Sequence, residues 1–244
     1  MRVLIMMILL GCLAFGAAQA SEKERFVTAN ILAVFYHELG HAVIDVEELP
    51  IFGQEEDAAD VFSIYMIDAI YEAAPATEFA YGTARGFMAE TEMADRNGEE
   101  EDWSGTHGPS EQRYYNAICI FYGADPGARS RFARDLGLPR DRAESCAEEY
   151  EQADDSWGRV LDDLMGRGGG NSLRFIGPPT ASRAAEILAE EAAFLNEVLR
   201  LASPITVSVM PCGEANAYYD PLAREIQFCE EYETHFEDLV RLVQ

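Results

Sequence analysis

The sequence predicts an α+β fold that is mostly helical, with a small antiparallel sheet near the C-terminus. Long apolar runs of helical period fill the first two thirds of the chain, and alternation of period two sets in after Pro204. Between these runs, Pro and Gly mark the breaks. At 244 residues the chain is long enough to bury a substantial core within a single unit.

Residues 1–20, MRVLIMMILLGCLAFGAAQA, read as a cleavable signal peptide. Arg2 precedes an apolar stretch from Val3, and Ala18-Gln19-Ala20 supplies a small-x-small cleavage site. A lipoprotein cleaved before Cys12 is the alternative; the apolar stretch running on to Ala18 favours the first. From Phe26 to about Asp45 the apolar positions fit a buried helix, and Pro50 with Gly53 marks a turn. A second helix is expected from Gln54 to about Glu72, before Pro75, and a third from about Ala76 to Ala94. The acidic stretch DRNGEEEDWSGTHGPS then reads as a solvated loop, because it lacks the ligand order and central glycine of a calcium loop.

Further helices are expected over Glu111–Phe121, Gly127–Leu136 and Arg140–Leu164. Gly166 to Ser172, GRGGGNS, has neither a preceding strand nor a GK[ST] ending and reads as a connection, not a phosphate loop. Leu173–Ile176 is a candidate short strand, and Ser182–Leu201 a helix rich in Ala, Glu and Leu. ITVSVM, NAYYD and REIQFC are candidate strands of a meander, and HFEDLVRLV closes the chain as a helix. No internal repeat is visible, and no segment beyond the first 20 residues reads as a membrane span.

Arg2 is the one charged side chain in the leader, so the remainder carries 17 basic and 44 acidic groups, a net charge of −27. Such a field repels nucleic acid and anionic membranes and mainly reports a heavily solvated surface. Export would place Cys119, Cys146, Cys212 and Cys229 in an oxidising compartment. No CxxC spacing points to a thiolate metal site. Of the three pairings four cysteines allow, the sequential one, Cys119–Cys146 and Cys212–Cys229, is favoured.

The chemistry centres on HELGH, His37 to His41, inside the first helix and followed by EDAAD on the second. Residues four apart share a helix face, with Cβ atoms roughly 5–6 Å apart, so His37 and His41 can grip one ion. Glu38 then serves as general base toward a metal-activated water. A catalytic zinc site takes three protein ligands and leaves a fourth position for water. Glu56, Asp57 and Asp60 are on offer for the third: Glu56 and Asp60 share a face, while Asp57 is turned about 100° from Glu56. The expected division has Glu56 coordinate Zn2+ and Asp60 hydrogen-bond a liganding histidine. His107 is a candidate donor to the oxyanion, with Tyr218 and Tyr219 as weaker ones. Each has a plainer rival: a solvated helix N-terminus for Glu56 and Asp60, an exposed loop histidine for His107, strand packing for the tyrosines. His235 has no motif around it.

FYHELGHAVIDVEELPIFGQEEDAAD resembles the signature of the bacterial secreted "putative metallopeptidase" family. His107 followed by Gln112-Arg113-Tyr114-Tyr115-Asn116, Cys119 and Tyr122-Gly123 is similar to its central motif, as is Arg142-Ala143 with Cys146, Glu149-Tyr150 and Trp157. CGEANAYYDPLAREIQFC resembles its cysteine-flanked NAxYDP segment. The family usually follows the last cysteine with Tyr-Glu-Leu, where this chain has Glu230-Glu231-Tyr232, so no role is carried over beyond Cys229. The resemblance implies a gluzincin-type zinc peptidase acting on peptides or proteins, with Glu56 completing the metal site. Residues 21–244 are then one metallopeptidase-like domain: a helical part of about 21–165, and a helix with a β-meander over about 173–244. A competing expectation is a non-catalytic envelope or interaction protein that keeps zinc for structural reasons, as the acidic surface would suit. Neither substrate nor oligomeric state follows from the sequence.

Overall fold

The computed structural model describes residues 21–100, 103–179 and 181–243. The expected signal peptide, residues 1–20, lies outside them. The elements in chain order are α1 (Glu22–Val46), α2 (Glu55–Ile70), α3 (Ala73–Asn97), α4 (Ser110–Ala124), α5 (Ser130–Asp135), α6 (Arg140–Ala143), α7 (Cys146–Ala153), a π-helical turn (Asp154–Gly158), α8 (Arg159–Gly166), β1 (Leu173–Ile176), α9 (Arg183–Val198), β2 (Ile205–Met210), β3 (Ala217–Asp220), β4 (Glu225–Cys229) and α10 (Glu231–Leu239).

Everything is organised around α1. Ser21 caps it with a full capping box: its side chain accepts from the Glu24 N–H, and Glu24 accepts from the Ser21 N–H. Seventeen of its 25 residues are buried, because α2, α3, α9, α10 and the sheet cover it on nearly every side. By length and hydropathy alone α1 could cross a membrane, contrary to the expectation that no segment after residue 20 would. In the fold it is a core helix, with 83% of that apolar window buried inside the protein.

Small residues set how closely the neighbours approach. A Cβ on Gly40 would lie 3.1 Å from the Ala59 Cα, so α1 and α2 meet at Gly40 and Ala59 with no bulk between them. On the α3 side, a Cβ on Gly82 would come within 2.3 Å of the Ala29 Cβ. The helix α3 begins three residues earlier than expected, with Pro75 in its first turn, where no helical N–H is lost. It ends on Gly98, whose φ of 70° is the left-handed cap that glycine adopts without penalty.

Cys119 on α4 is disulfide-bonded to Cys146 on α7, and Cys212 to Cys229 at the end of β4. Two disulfides suit an oxidising, extracytoplasmic compartment. Beside the first bridge, a Cβ on Gly123 would sit 2.0 Å from the Cys146 carbonyl oxygen. Gly123→Ala is therefore expected to destabilise by about 3 kcal/mol, because backbone rather than a movable side chain must give way. A lowered urea midpoint with an unchanged m-value would register it.

Two expectations need correction. The helix expected over Arg140–Leu164 is broken at Glu144–Ser145 and widened at Asp154–Gly158. The break lets Cys146 face Cys119. The π turn lies where Trp157 packs on Phe62, ring centroids 4.8 Å apart, and where Tyr65 bonds Asp154. The sheet, in turn, is mixed, not antiparallel: its order is β1-β2-β4-β3, with β1–β2 and β2–β4 parallel and only β3–β4 antiparallel. The crossover through α9 makes β1 and β2 parallel. The chain then passes outward from β2, and β4 returns between β2 and β3. Cys229 of β4 thereby pairs in register with Met210 of β2, close to Cys212. β3 is left at one edge of the sheet, opposite β1, and lies against α1.

Candidate metal centre

His37, Glu38 and His41 occupy the second half of α1, where α2 crosses it. His37 and Glu38 are buried at 7% and 8% exposure, unusual for groups that carry or exchange charge. The first turn of α2 presents Glu55, Glu56 and Asp57, where the helix dipole favours acids.

Three atoms converge. The His37 Nε2 lies 3.1 Å from Glu56 Oε2, the His41 Nε2 lies 3.2 Å from the same oxygen, and the two Nε2 atoms are 3.2 Å apart. Four ligands at about 2.0–2.1 Å around one ion would stand roughly 3.3–3.4 Å from one another. The triangle is thus the size a tetrahedral zinc would need, and His37, His41 and Glu56 form a metal-capable group.

The far ring nitrogens are held as well. His37 Nδ1 donates to Asp60 Oδ1 at 2.8 Å, and His41 Nδ1 to Glu55 Oε1 at 2.8 Å. Both contacts leave Nε2 turned toward Glu56. Asp60 is itself gripped by Arg113, whose Nε and Nη2 each donate at 2.7 Å to its two oxygens. The guanidinium lies 4.5 Å from the centroid of the Phe87 ring.

Burial alone would lower the His37 pKa, but hydrogen bonds to Asp60 and Glu56 carry it up to about 9. Glu56 is held down to about 2, first by its hydrogen bond with His37 and then by the charges of the surrounding histidines, against the effect of burial. Burial would raise Asp60, yet the Arg113 charge and the His37 contact hold it far below the usual carboxylate range. Glu38 moves the other way. Its burial pushes it up, only partly offset by the two histidines and by the Tyr219 backbone N–H, which donates to its carboxylate. Glu38 is thus displaced upward beside two carboxylates, Glu56 and Asp60, that are displaced downward.

His107 joins the group from the loop before α4. Its Nε2 stands 2.8 Å from Glu56 Oε2, its ring centroid is 5.5 Å from that of His37, and it remains about half exposed. Burial and the nearby Arg113 lower its pKa. Of the two tyrosines, Tyr218 bonds Glu214 and Asn216, and the Tyr219 hydroxyl donates to Asp45 at 2.7 Å. Both hydroxyls are engaged away from the ligand group, and what Tyr219 brings to Glu38 is its main chain. His235 lies on α10, 2.6 Å from Glu90 through its Nε2.

Sequence reasoning did not assign roles to Arg113, Glu55 or the Tyr219 N–H. The cue for Glu55 was the doubled acid at 55–56; nothing in the spacing announced Arg113. Replacing Arg113 by Leu is expected to weaken metal affinity about 10- to 100-fold, since Asp60 would lose the partner that aims it at His37. Competition with a chromophoric chelator measures this directly.

No curated protein and no solved structure matches the chain. Comparison with known families matches residues 13–161 and 180–243 to a family described as "Putative metallopeptidase". A metallopeptidase family implies a bound metal and peptide or protein substrates. With most of its length matched, the chain belongs to that family.

Proposed function

We propose that this protein is an exported, zinc-dependent peptidase of the HExxH gluzincin type, with His37, His41 and Glu56 as ligands and Glu38 as general base. The observation that carries the reading is the convergence of two imidazole nitrogens and one carboxylate oxygen beside a buried, upward-shifted glutamate. Two histidines and a glutamate form a known catalytic zinc set that leaves a fourth position for water. When bound there, such an ion supplies Lewis acidity to a carbonyl and makes water a usable nucleophile near neutral pH.

The chain's own residues supply the rest. Glu38 accepts the proton of the attacking water and passes it to the departing amine. The Tyr219 N–H orients that carboxylate, and burial keeps its proton affinity high enough for the transfer. Asp60 and Glu55 hold the two imidazoles with Nε2 turned inward. His107, partly exposed and with its Nε2 2.8 Å from Glu56 Oε2, would donate to the oxyanion as the tetrahedral centre forms. The expected signal peptide and the two disulfides support export.

A second reading is favoured by one observation, the approach of His107 to Glu56. Were His107 a fourth ligand, the site would be closed and the metal structural. An intact, buried Glu38 argues for the first reading, since a structural site has no use for a base. The test is hydrolysis of a mixed peptide library by purified protein, followed through chelation and zinc restoration. Cleavage that disappears with chelator and returns with zinc is expected; equal cleavage by metal-free protein would rule the proposal out.

A further inference from the structure

Beside His37 and Glu38 a cavity of about 340 Å³ extends between α1, α2, α3, α4 and α10. Volumes of roughly 300–1,000 Å³ are typical of ligand pockets, and this one falls at the small end, enough for one long side chain. Two of its walls repeat one order. The lining of α1 includes His37, Val34 and Asn30, and that of α3 includes Glu90, Phe87 and Thr83. Asn30 bonds the Gly82 carbonyl, and Arg25 pairs with Glu78 about a turn earlier on both helices, so α1 and α3 run parallel here. Thr83 thus lies beside Asn30, and Glu90 toward His37. Seven positions span about 10 Å of helix, so both walls pass from ionisable groups near the metal centre, over an apolar middle, to a polar far end.

The far end is richer in acceptors than in donors. Asn30 is buried, and its amide donates to the carbonyls of Phe26 at 2.9 Å and Gly82 at 3.1 Å, which leaves its Oδ1 as an acceptor. Gly86 stands against that oxygen, where a Cβ would come within 1.9 Å of it. Ser63, on the α2 side, gives its hydroxyl proton to the Ala33 carbonyl at 2.8 Å, which leaves its lone pairs. Thr83 is buried at 4% exposure, and its Oγ1 is the buried side-chain oxygen without a hydrogen-bond partner among the described residues. Such a group on a cavity wall calls for a partner brought by an occupant. Toward the metal centre, the Arg113 guanidinium is committed to both oxygens of Asp60, and Glu90 is paired with His235 through one oxygen.

We propose that this cavity receives a substrate side chain flanking the scissile bond and selects a long one that ends in N–H donors: lysine, arginine or glutamine. The inference rests on the peptidase reading and names its substrate class. The methylene stem of such a side chain lies along Val34 and Phe87, and its head reaches the oxygens of Thr83, Asn30 and Ser63. Methionine matches the stem but leaves those oxygens unpaired, and glutamate sets acceptor against acceptor. Glu90, on the same wall, repels glutamate and adds attraction for the two cations. A site built to hydrogen-bond a substrate group rejects analogues that lack it. Peptides with a donor-ended residue at one flanking position are therefore cleaved at least about 10-fold more efficiently than those with methionine or glutamate there.

The test has two arms. In the first, the acetylated amides of glutamine, lysine, arginine, methionine and glutamate are titrated by saturation-transfer NMR into the Glu38→Gln protein, where no turnover is required. Glutamine, methionine and glutamate are close in size, so their order reports the donor. The glutamine amide and the two cations should bind at least about 10-fold more tightly than the methionine and glutamate amides. Adding Thr83→Val should erase most of that advantage, and Thr83→Ser should keep it. Thr83→Val by itself should not lower Tm, because it removes an unpartnered buried hydroxyl. In the second arm, the zinc-loaded protein digests a peptide set varied at the positions flanking one bond, with the cuts mapped by mass spectrometry. Donor-ended residues should dominate one position. A glutamine amide that binds no better than methionine, an order untouched by Thr83→Val, a lowered Tm in that variant, or indiscriminate cleavage overturns the specificity while leaving the peptidase standing. Selective binding of the donor-ended amides without cleavage of any peptide leaves the pocket standing and overturns the peptidase.

Discussion

Glu38→Gln is expected to lower kcat/KM on any cleaved peptide by about 10²- to 10⁴-fold, the range of a positioned general base, while metal content stays at the wild-type level. The amide keeps the shape of the carboxylate and can still accept the Tyr219 N–H, so the neighbourhood of α1 and β3 should survive. What it loses is the capacity to take a proton. Because Glu38 is not one of the three converging ligand groups, its loss should separate chemistry from metal binding. A non-catalytic metal protein would show no functional change on this substitution. Paired metal analysis and single-turnover assays on the variant distinguish the outcomes.

His41→Ala should abolish activity and remove most of the metal-dependent stability. For the wild type, zinc at about 1,000 times its dissociation constant should stabilise the fold by about 4.1 kcal/mol, read as a rise in Tm. The variant, with two ligands left, should show little of that rise at the same zinc concentration. His41 is the cleaner choice of the pair. Its Nδ1 partner, Glu55, is half exposed and can turn to water, whereas removing His37 would strip a partner from the half-buried Asp60–Arg113 pair. Losing that contact disturbs a hydrogen-bonded network on its own account and would confuse the reading.

Much of this centre could be read from the sequence because the information is local. Four-residue spacing on an apolar helix sets His37 and His41 side by side whatever else the chain does, and the i, i+4 spacing of Glu56 and Asp60 does the same on α2. The two helices cross closely where Ala59 meets Gly40. The sheet was less legible. Alternation in ITVSVM and REIQFC tells which side chains are buried, but not which strand sits beside which, so the insertion of β4 between β2 and β3 had no local cue. Nor did the π turn, which arises from the packing of Trp157 on Phe62 across 95 positions of sequence. Arg113 belongs to the same class. Its role exists only because α4 brings it to Asp60, 53 residues away in sequence. The start of α10 at Glu231, four residues before the expected one, follows from Glu231 accepting the N–H groups of Cys212 and Gly213, a contact set by the second disulfide.

Diffraction from crystals of the zinc-loaded protein, recorded on both sides of the zinc absorption edge, bears most directly on the central claim that α1 and α2 bring two imidazoles and one carboxylate to a single ion. The anomalous peak should lie about 2.0–2.2 Å from His37 Nε2, His41 Nε2 and a Glu56 oxygen, with solvent in the fourth position next to Glu38. A peak remote from Glu56, or a fourth position occupied by His107 Nε2, would contradict the account.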